Sequence, residues 1–256
     1  MDKKYIVKAQ NYLLKSSYPI VLSGAGISAD SGIPTFRSEP KLNNNSTKSV
    51  YFGHYKYFMK NPKKWWEDQL DFSSNPDRTK FRHAVENAQP NKGHYALTKL
   101  QKNNYVKNII TQNVDELHTR SGSKNVLEIH GSRYKCRCIK CGLRFPRESI
   151  SLKILPPICE CGGIIKYDTV LFGEPIPKNI LEDCVSIINK ADLILVTGTS
   201  TLVNPSASFP VLIKKNGGII IEANTMSTTI SKIADIVLRG STSETLPELS
   251  DFNNIN

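Results

Sequence analysis

Cysteine, histidine and a glycine-rich turn are the parts of this chain with distinctive chemistry to offer. Five of the six cysteines, Cys136, Cys138, Cys141, Cys159 and Cys161, fall in one short window. Cys138-Ile139-Lys140-Cys141 has the two-residue spacer of a zinc knuckle and is followed by Gly142. Cys159-Glu160-Cys161-Gly162-Gly163 supplies a second pair with a one-residue spacer. Four thiolates carried on two turns suit a single tetrahedral zinc ion of the structural kind, closed to substrate. Cys136-Arg137-Cys138 offers a competing ligand, so spacing alone leaves Cys136 and Cys138 both open for the first pair. Cys184 stands apart on an amphipathic stretch and reads as buried filler.

The glycine-rich turn follows a short apolar run, Ile20-Val21-Leu22, and reads Gly24-Ala25-Gly26. Ile27-Ser28-Ala29-Asp30 then opens a helix. Glycines here let the backbone turn tightly and approach a pyrophosphate, with Ala29 as the third small position of a dinucleotide fingerprint. The acidic residue that binds a ribose in ordinary dehydrogenases, about 20 residues further on, is missing. His130 ends a second apolar run, Val126–Ile129, and is followed by Gly131-Ser132. That places an imidazole at the carboxyl edge of a strand, where such sheets bind ligands. Its ordinary pKa suits it to move a proton near neutral pH.

The elements that must position these groups alternate. Strand signals recur at Val106–Ile110, Val126–Ile129, Thr169–Phe172, Leu193–Val196, Gly218–Glu222 and Ile236–Leu238. Helical patterns cover 93–100, 179–190 and 207–214, with a short helix at the end. Apolar, β-branched strands joined by helical crossovers predict an α/β fold, a Rossmann-like parallel sheet of about six strands buried on both faces. The N-terminal segment reads as a helix with Ile6, Ala9 and Leu13 inward, not as a signal peptide. Between the first strand and its next parallel partner lie about 80 residues, far more than one crossover needs. Aromatic residues at helical spacing from Tyr51 to Leu70, and a helix over 78–87, fill that interval, after a polar loop at 38–47. His94 follows the Pro90–Gly93 turn and reads as a capping or packing histidine.

A chain of 256 residues, 39% hydrophobic and 22% charged, is long enough for one large domain with an inserted module. No apolar run approaches the roughly 20 residues of a membrane span. The absence of an export signal and the clustered cysteines point to the cytosol, and to metal ligation over disulfides. The formal net charge of +11 raises the alternative of a non-enzymatic, zinc-containing nucleic-acid module. The lysines are scattered with no dense block, which argues against nucleic acid as partner.

The first motif extends as Ser31-Gly32-Ile33-Pro34-Thr35-Phe36-Arg37. Taken with Thr111-Gln112-Asn113-Val114-Asp115, Ile129-His130-Gly131, Phe172-Gly173-Glu174 and Gly198-Thr199-Ser200, in that order, the sequence closely resembles the sirtuin family from about Ile20 to Leu249. The resemblance implies an NAD-dependent protein-lysine deacylase, or deacetylase, that moves an acyl group from lysine to ADP-ribose and releases nicotinamide. Its partners would be NAD and the acylated lysine side chains of proteins. An ADP-ribosyltransferase or NAD hydrolase built on the same site is the alternative. The resemblance assigns His130 as base, with Asn113 and Asp115 orienting nicotinamide and ribose and Gln112 contacting a ribose hydroxyl. Gly24, Ala25, Gly26, Ser28, Phe36 and Arg37 would line the cofactor, Phe36 shielding the reactive carbon from water. Gly198, Thr199, Ser200 and Asn224 would hold phosphates and the adenine ribose, with Thr242 near adenine. Val170, Phe172 and Gly173 match the edge that takes the substrate peptide as an added strand.

The same resemblance selects Cys138, eight residues after His130, with Cys141, Cys159 and Cys161 as the zinc ligands. It divides the chain into a large NAD-binding domain (1–38, 90–132 and 169–256) and a small one. The small domain would combine a helical insertion (39–89) with a zinc-binding one (133–168). This chain departs from the family at Glu116, where glycine is usual, and at Ser121, where alanine is usual; Glu116 adds a charge beside the pocket. Some relatives that prefer acidic acyl groups carry a Tyr-x-x-Arg pair, and an ungapped match places Gln69 and Phe72 there. Neither neutralises a carboxylate, so acetyl or longer neutral acyl groups are expected over succinyl.

Overall fold

Pro19–Ser23 (β1) is buried at all five positions and forms the middle of a six-stranded sheet. The computed structural model describes residues 3–35, 53–73 and 76–254. On one side of β1 lie β2 (Asn108–Thr111) and β3 (Val126–Glu128). On the other lie β7 (Leu193–Thr197), β8 (Ile219–Asn224) and β9 (Ile236–Arg239). All the pairings are parallel, with Val21 between Ile109 and Leu195 in register. The chain winds outward from β1 in one direction and later crosses to wind in the other. The boundary between β1 and β7 is therefore a switch point, where a crevice opens beyond the carboxyl ends.

Alternation along β1 divides the core in two. Val21 faces one layer with Ile6, Ala9 and Leu13 of α1 (Lys3–Lys15), Leu97 of α5 (Lys92–Lys102) and Leu246 of α9 (Thr242–Leu249). Ile20 and Leu22 face the other, against Cys184 and Ile188 of α7 (Lys178–Lys190) and Ile213 of α8 (Phe209–Lys215). Cys184 is filler, as its sequence context predicts. Apolar burial on both faces is what lets strands of three to six residues hold a sheet.

The two excursions meet each other. β4 (Lys135–Cys138), β5 (Arg144–Pro146) and β6 (Ile165–Tyr167) form an antiparallel sheet in the order β5-β4-β6. Phe58 of α2 (Tyr55–Lys60) and Trp65 and Trp66 of α3 (Pro62–Leu70) pack against Cys136, Cys138, Cys159 and Ile165. The Trp66 indole donates to the Ile165 carbonyl at 2.9 Å. A third helix, α4 (Pro76–Asn87), follows. Among the described residues no helix is long and apolar enough to cross a membrane.

Two local expectations gain detail and a third is corrected. The aromatic run ending at Leu70 is two helices, because Asn61 caps α3 through Lys64 N at 3.0 Å and Pro62 occupies its first turn. The turn after β1 is a tight 3₁₀ helix, Ala25–Ser31. Thr169–Phe172 is not a strand of the sheet: Val170 N donates to the His130 carbonyl and Leu171 N to the Glu174 carboxylate, and its pairing is limited to one isolated parallel bridge, Phe172 with His54. The loop at 38–47, with Phe36 and Arg37, lies outside the described residues.

Candidate active site

Polar side chains collect where β1, β2, β3 and β7 end. Gly26 N donates to the Gly198 carbonyl at 2.7 Å, and a Cβ on Gly26 would lie 2.8 Å from that residue's backbone. Gly198 itself has φ +61, and a Cβ there would meet Ile27 N at 2.4 Å. These glycines thus allow two turns, after β1 and after β7, to touch backbone to backbone. The amides of Gly24 and Gly26 are both used inside the protein, on Thr197 and Gly198.

Asn113, Ser28 and Asp115 form one buried cluster. Asn113 Nδ2 donates to Ser28 Oγ at 3.1 Å and to the Gly24 carbonyl at 3.2 Å. Ser28 Oγ donates to Asp115 Oδ2 at 2.7 Å, while Leu117 N donates to Oδ1 at 2.9 Å. Burial raises the Asp115 pKa, and these donors pull it back. Gln112 is fixed at both ends, accepting from Thr199 Oγ1 at 2.7 Å and donating to Ser206 Oγ at 2.5 Å. Ser206, which sequence reasoning missed, sits beyond the second turn and carried no motif. Asn224 Nδ2 holds the Thr199 carbonyl at 2.7 Å.

His130 Nδ1 lies 3.1 Å from the Gln112 carbonyl. A carbonyl only accepts, so Nδ1 carries the proton and Nε2 keeps its lone pair. Burial lowers the ring's pKa, partly offset by that bond, so the neutral base form prevails at pH 7. Behind the site, His118 Nε2 lies 2.8 Å from Ser23 Oγ, and the His118 ring lies 5.1 Å from that of His94. His94 Nδ1 accepts from Asn91 N, the capping role expected of it.

Thr197 Oγ1 and Thr242 Oγ1, at the end of β7 and the start of α9, are buried without a hydrogen-bond partner among the described residues. Unpartnered hydroxyls at the carboxyl side of the sheet, beside the glycine turns, fit a ligand rich in hydroxyl and phosphate oxygens. Ser200 follows Thr199 in the second turn, half-buried.

Near His130, the Val170–Gly173 segment presents an exposed Phe172 ring (62% exposed). The Phe172 backbone is already engaged: its N donates to the Gly53 carbonyl at 2.8 Å and its carbonyl accepts from Tyr55 N at 2.9 Å. The Val170 carbonyl and the Gly173 amide have no backbone partner among the described residues. Glu116 has a left-handed backbone, φ +57, which accounts for glycine being usual there. Its carboxylate accepts from Ser132 Oγ at 2.6 Å and pairs at 3.0 Å with Lys135, an ammonium it shares with Glu128 at 2.8 Å. Arg82 lies beneath the two positions read for acyl preference, donating to the Gln69 carbonyl at 2.7 Å with its guanidinium 4.4 Å from the Phe72 ring.

The sulfur atoms of Cys138, Cys141, Cys159 and Cys161 lie within 4.8 Å of one another, with Cys138–Cys161 at 3.5 Å and Cys141–Cys159 at 3.8 Å. Tetrahedral zinc with bonds of about 2.3 Å places sulfurs about 3.8 Å apart, so the quartet fits that ion. A Cβ on Gly163 would lie 2.5 Å from Cys138 Sγ, which is why the second knuckle ends in glycine. Cys136 stays out of the quartet, buried beneath the tryptophans, where desolvation pushes its thiol up to about 12.

A doubly wound parallel sheet with glycine turns and a polar crevice at its switch point defines a nucleotide-binding α/β protein. The chain belongs to the Sir2 family, whose model matches residues 24–205. It is 40% identical over 249 residues to an NAD-dependent protein deacetylase of Sulfurisphaera tokodaii, covering 96% of this chain and 94% of that protein. The crystal structure of a Sir2 homologue–NAD complex superposes with a TM-score of 0.77 at 37% identity, covering 98% of this chain and 93% of that one. A Sir2–p53 peptide–NAD⁺ structure gives 0.74 at 28% identity, covering 96% of each.

Proposed function

We propose that this chain is an NAD-dependent protein-lysine deacylase. The observation that carries the reading is the His130 tautomer: a neutral imidazole with Nε2 unprotonated, beside the Asn113–Ser28–Asp115 cluster. The family relationship and the likeness to NAD complexes support it. When bound, NAD supplies an electrophilic ribose carbon through loss of nicotinamide and accepts the acyl group. His130 Nε2 takes the proton from a ribose hydroxyl. Asn113 and Asp115 orient the nicotinamide side, with Ser28 holding both, and Gln112 is steadied by Thr199 and Ser206. Gly24, Ala25, Gly26, Gly198, Thr199, Ser200, Asn224 and Thr242 line the cofactor, and the family motif adds Phe36 and Arg37.

The acylated lysine enters along Val170–Gly173. There the Val170 carbonyl and Gly173 amide offer the pairing groups, and Phe172 contributes its ring. Cys138, Cys141, Cys159 and Cys161 hold one structural zinc. The assignment of 1–38, 90–132 and 169–256 to the large domain, and of 39–89 and 133–168 to the small one, is supported by the packing of Trp65 and Trp66 on the cysteine module. A cytosolic location suits a thiolate quartet, which requires reduced cysteines.

Incubation with NAD and an acetyl-lysine peptide tests the function. Mass spectrometry is expected to find free nicotinamide, deacetylated peptide and acyl-ADP-ribose in equal amounts. A mass gain on protein, or ADP-ribose without acyl transfer, would establish the transferase or hydrolase alternative instead.

A further inference from the structure

The cysteine module buries charges that the reaction itself does not use. Lys166 on β6 is fully buried, and its ammonium donates to the carbonyls of Tyr167 at 2.7 Å and Thr169 at 2.8 Å. It also lies 3.0 Å from Glu174 Oε2. The same oxygen accepts from Leu171 N at 2.9 Å, and Glu174 Oε1 accepts from Arg137 Nη2 at 2.8 Å. Arg137 and Lys166 are direct cross-strand partners on β4 and β6, and the next pair along is Cys138 with Ile165. Two cations thus stand one ladder step from the Cys138–Ile165 pair and grip one carboxylate. That carboxylate in turn grips the backbone between Val170 and Gly173. Two salt bridges from buried cations and a hydrogen bond from the half-buried Leu171 amide leave little freedom to that carboxylate.

We propose that Lys166 and Glu174 are positioning residues for peptide binding, through which the zinc module sets the Val170–Gly173 edge. The inference rests on the reading of that edge as the peptide site. The segment has no sheet to define it: besides the Glu174 bonds, Val170 N on His130 and the Phe172 pairing with Gly53 and Tyr55 are its backbone anchors among the described residues. Removing the ammonium leaves Glu174 to Arg137 alone and frees the Tyr167 and Thr169 carbonyls. Leu171 then loses its fixed acceptor, and the free Val170 carbonyl and Gly173 amide lose their spacing. A misplacement of about 1 Å at a positioning group suffices for a large kinetic loss.

The test compares Lys166→Met, Lys166→Arg, Glu174→Gln and Phe172→Ala in the full chain. Steady-state KM is measured for acetyl peptide and for NAD, and amide exchange is followed at 168–176. Lys166→Met is expected to raise peptide KM about tenfold or more, with NAD KM within about twofold and faster exchange at Leu171. Lys166→Arg restores most of the peptide KM. Where Lys166→Met does not fold, Glu174→Gln decides, since its amide oxygen still accepts from Leu171 but has no charge for the two cations. Peptide KM and exchange unchanged in these variants, with Phe172→Ala raising KM, overturns the clamp. Phe172→Ala leaving peptide KM unchanged shows instead that the edge reading is at fault.

Discussion

The two sheets of this molecule are stabilised by different physics. In the six-stranded sheet, β1 and β7 bury every residue, and the polar groups gather at the strands' carboxyl ends. Each buried Ile, Leu or Val there contributes roughly 1.5–3 kcal/mol, with no requirement for direction or charge. The three-stranded sheet has strands of three or four residues and places Arg137, Lys166 and four thiols close enough to share one metal ion within or beside them. Asp168, fully buried, accepts from Ser132 N at 3.0 Å and pairs with Arg144, tying this sheet to the turn after His130. In the large sheet charge lies away from the centre, where Glu222 of β8 pairs with Arg239 of β9 and Glu128 of β3 with Lys135, and the middle strands are dry; the small sheet depends on each charged partner being present.

Metal removal breaks this contrast most sharply. Structural zinc contributes on the order of 10 kcal/mol to folding of small modules. Cys138→Ser and Cys161→Ser are each expected to lose the single zinc and the exchange protection of β4–β6, while β1 and β7 stay protected. Cys136→Ser should keep the metal. Elemental analysis and hydrogen exchange check both, and zinc released by Cys136→Ser alone would show the ligand set to be wrong.

The next largest effect separates catalysis from architecture. His130→Ala removes a base from the rim of the dry sheet, so deacylation should fall about 10²–10⁴-fold. NAD affinity should stay within about tenfold, because the loss is of a proton acceptor. Turnover near the original rate would remove His130 from the mechanism.

Acid should attack the helices packed on the large sheet, where zinc removal does not. Burial holds His94 at about 4, and burial with the neighbouring His94 holds His118 at about 3. Both values lie below the unfolded value of about 6.5, so the unfolded chain binds the extra protons. The stability these neutral rings allow is complete above pH 6.5 and declines as pH falls towards 4, by up to about 1.4 kcal/mol per pH unit for each ring. Urea denaturation at pH 7, 5.5 and 4.5 measures that slope. It should flatten in His94→Gln; an unaltered slope would assign the acid sensitivity elsewhere.

The smallest effect concerns the acyl group. Arg82 is spent on the Gln69 carbonyl and covered by Phe72, so it offers no exposed charge to an acidic acyl chain. One peptide carrying acetyl- or succinyl-lysine should show catalytic efficiency favouring acetyl by about tenfold. A preference for succinyl would mean that Arg82 turns towards the substrate.

The same contrast explains what could be read from sequence. Strands β1, β2, β3, β7, β8 and β9 announce themselves as apolar, β-branched runs because burial on both faces demands them. The cysteine module announces itself through spacing, while the choice of Cys138 over Cys136 needs the family's register from His130. Thr169–Phe172 has the composition of a strand, yet the Glu174 carboxylate and the His130 carbonyl take its amides, a tertiary effect with no local signature. Ser206 and Lys166 were illegible for a similar reason: a serine beside a proline and a lysine in a lysine-rich chain show nothing of their partners. Glu116 stood out only as a departure from a family pattern, and its left-handed backbone supplies the cause.

Strand order also has a consequence for synthesis. The central strand β1 leaves the ribosome well before either neighbour, since β2 begins at Asn108 and β7 at Leu193. At about 5–20 residues per second, its second edge stays uncovered for on the order of ten seconds or more. The apolar segment Ile20-Val21-Leu22 has two open rows of amides and carbonyls until β2 emerges, and one until β7 does. The nascent chain is thus most prone to association at its own future centre.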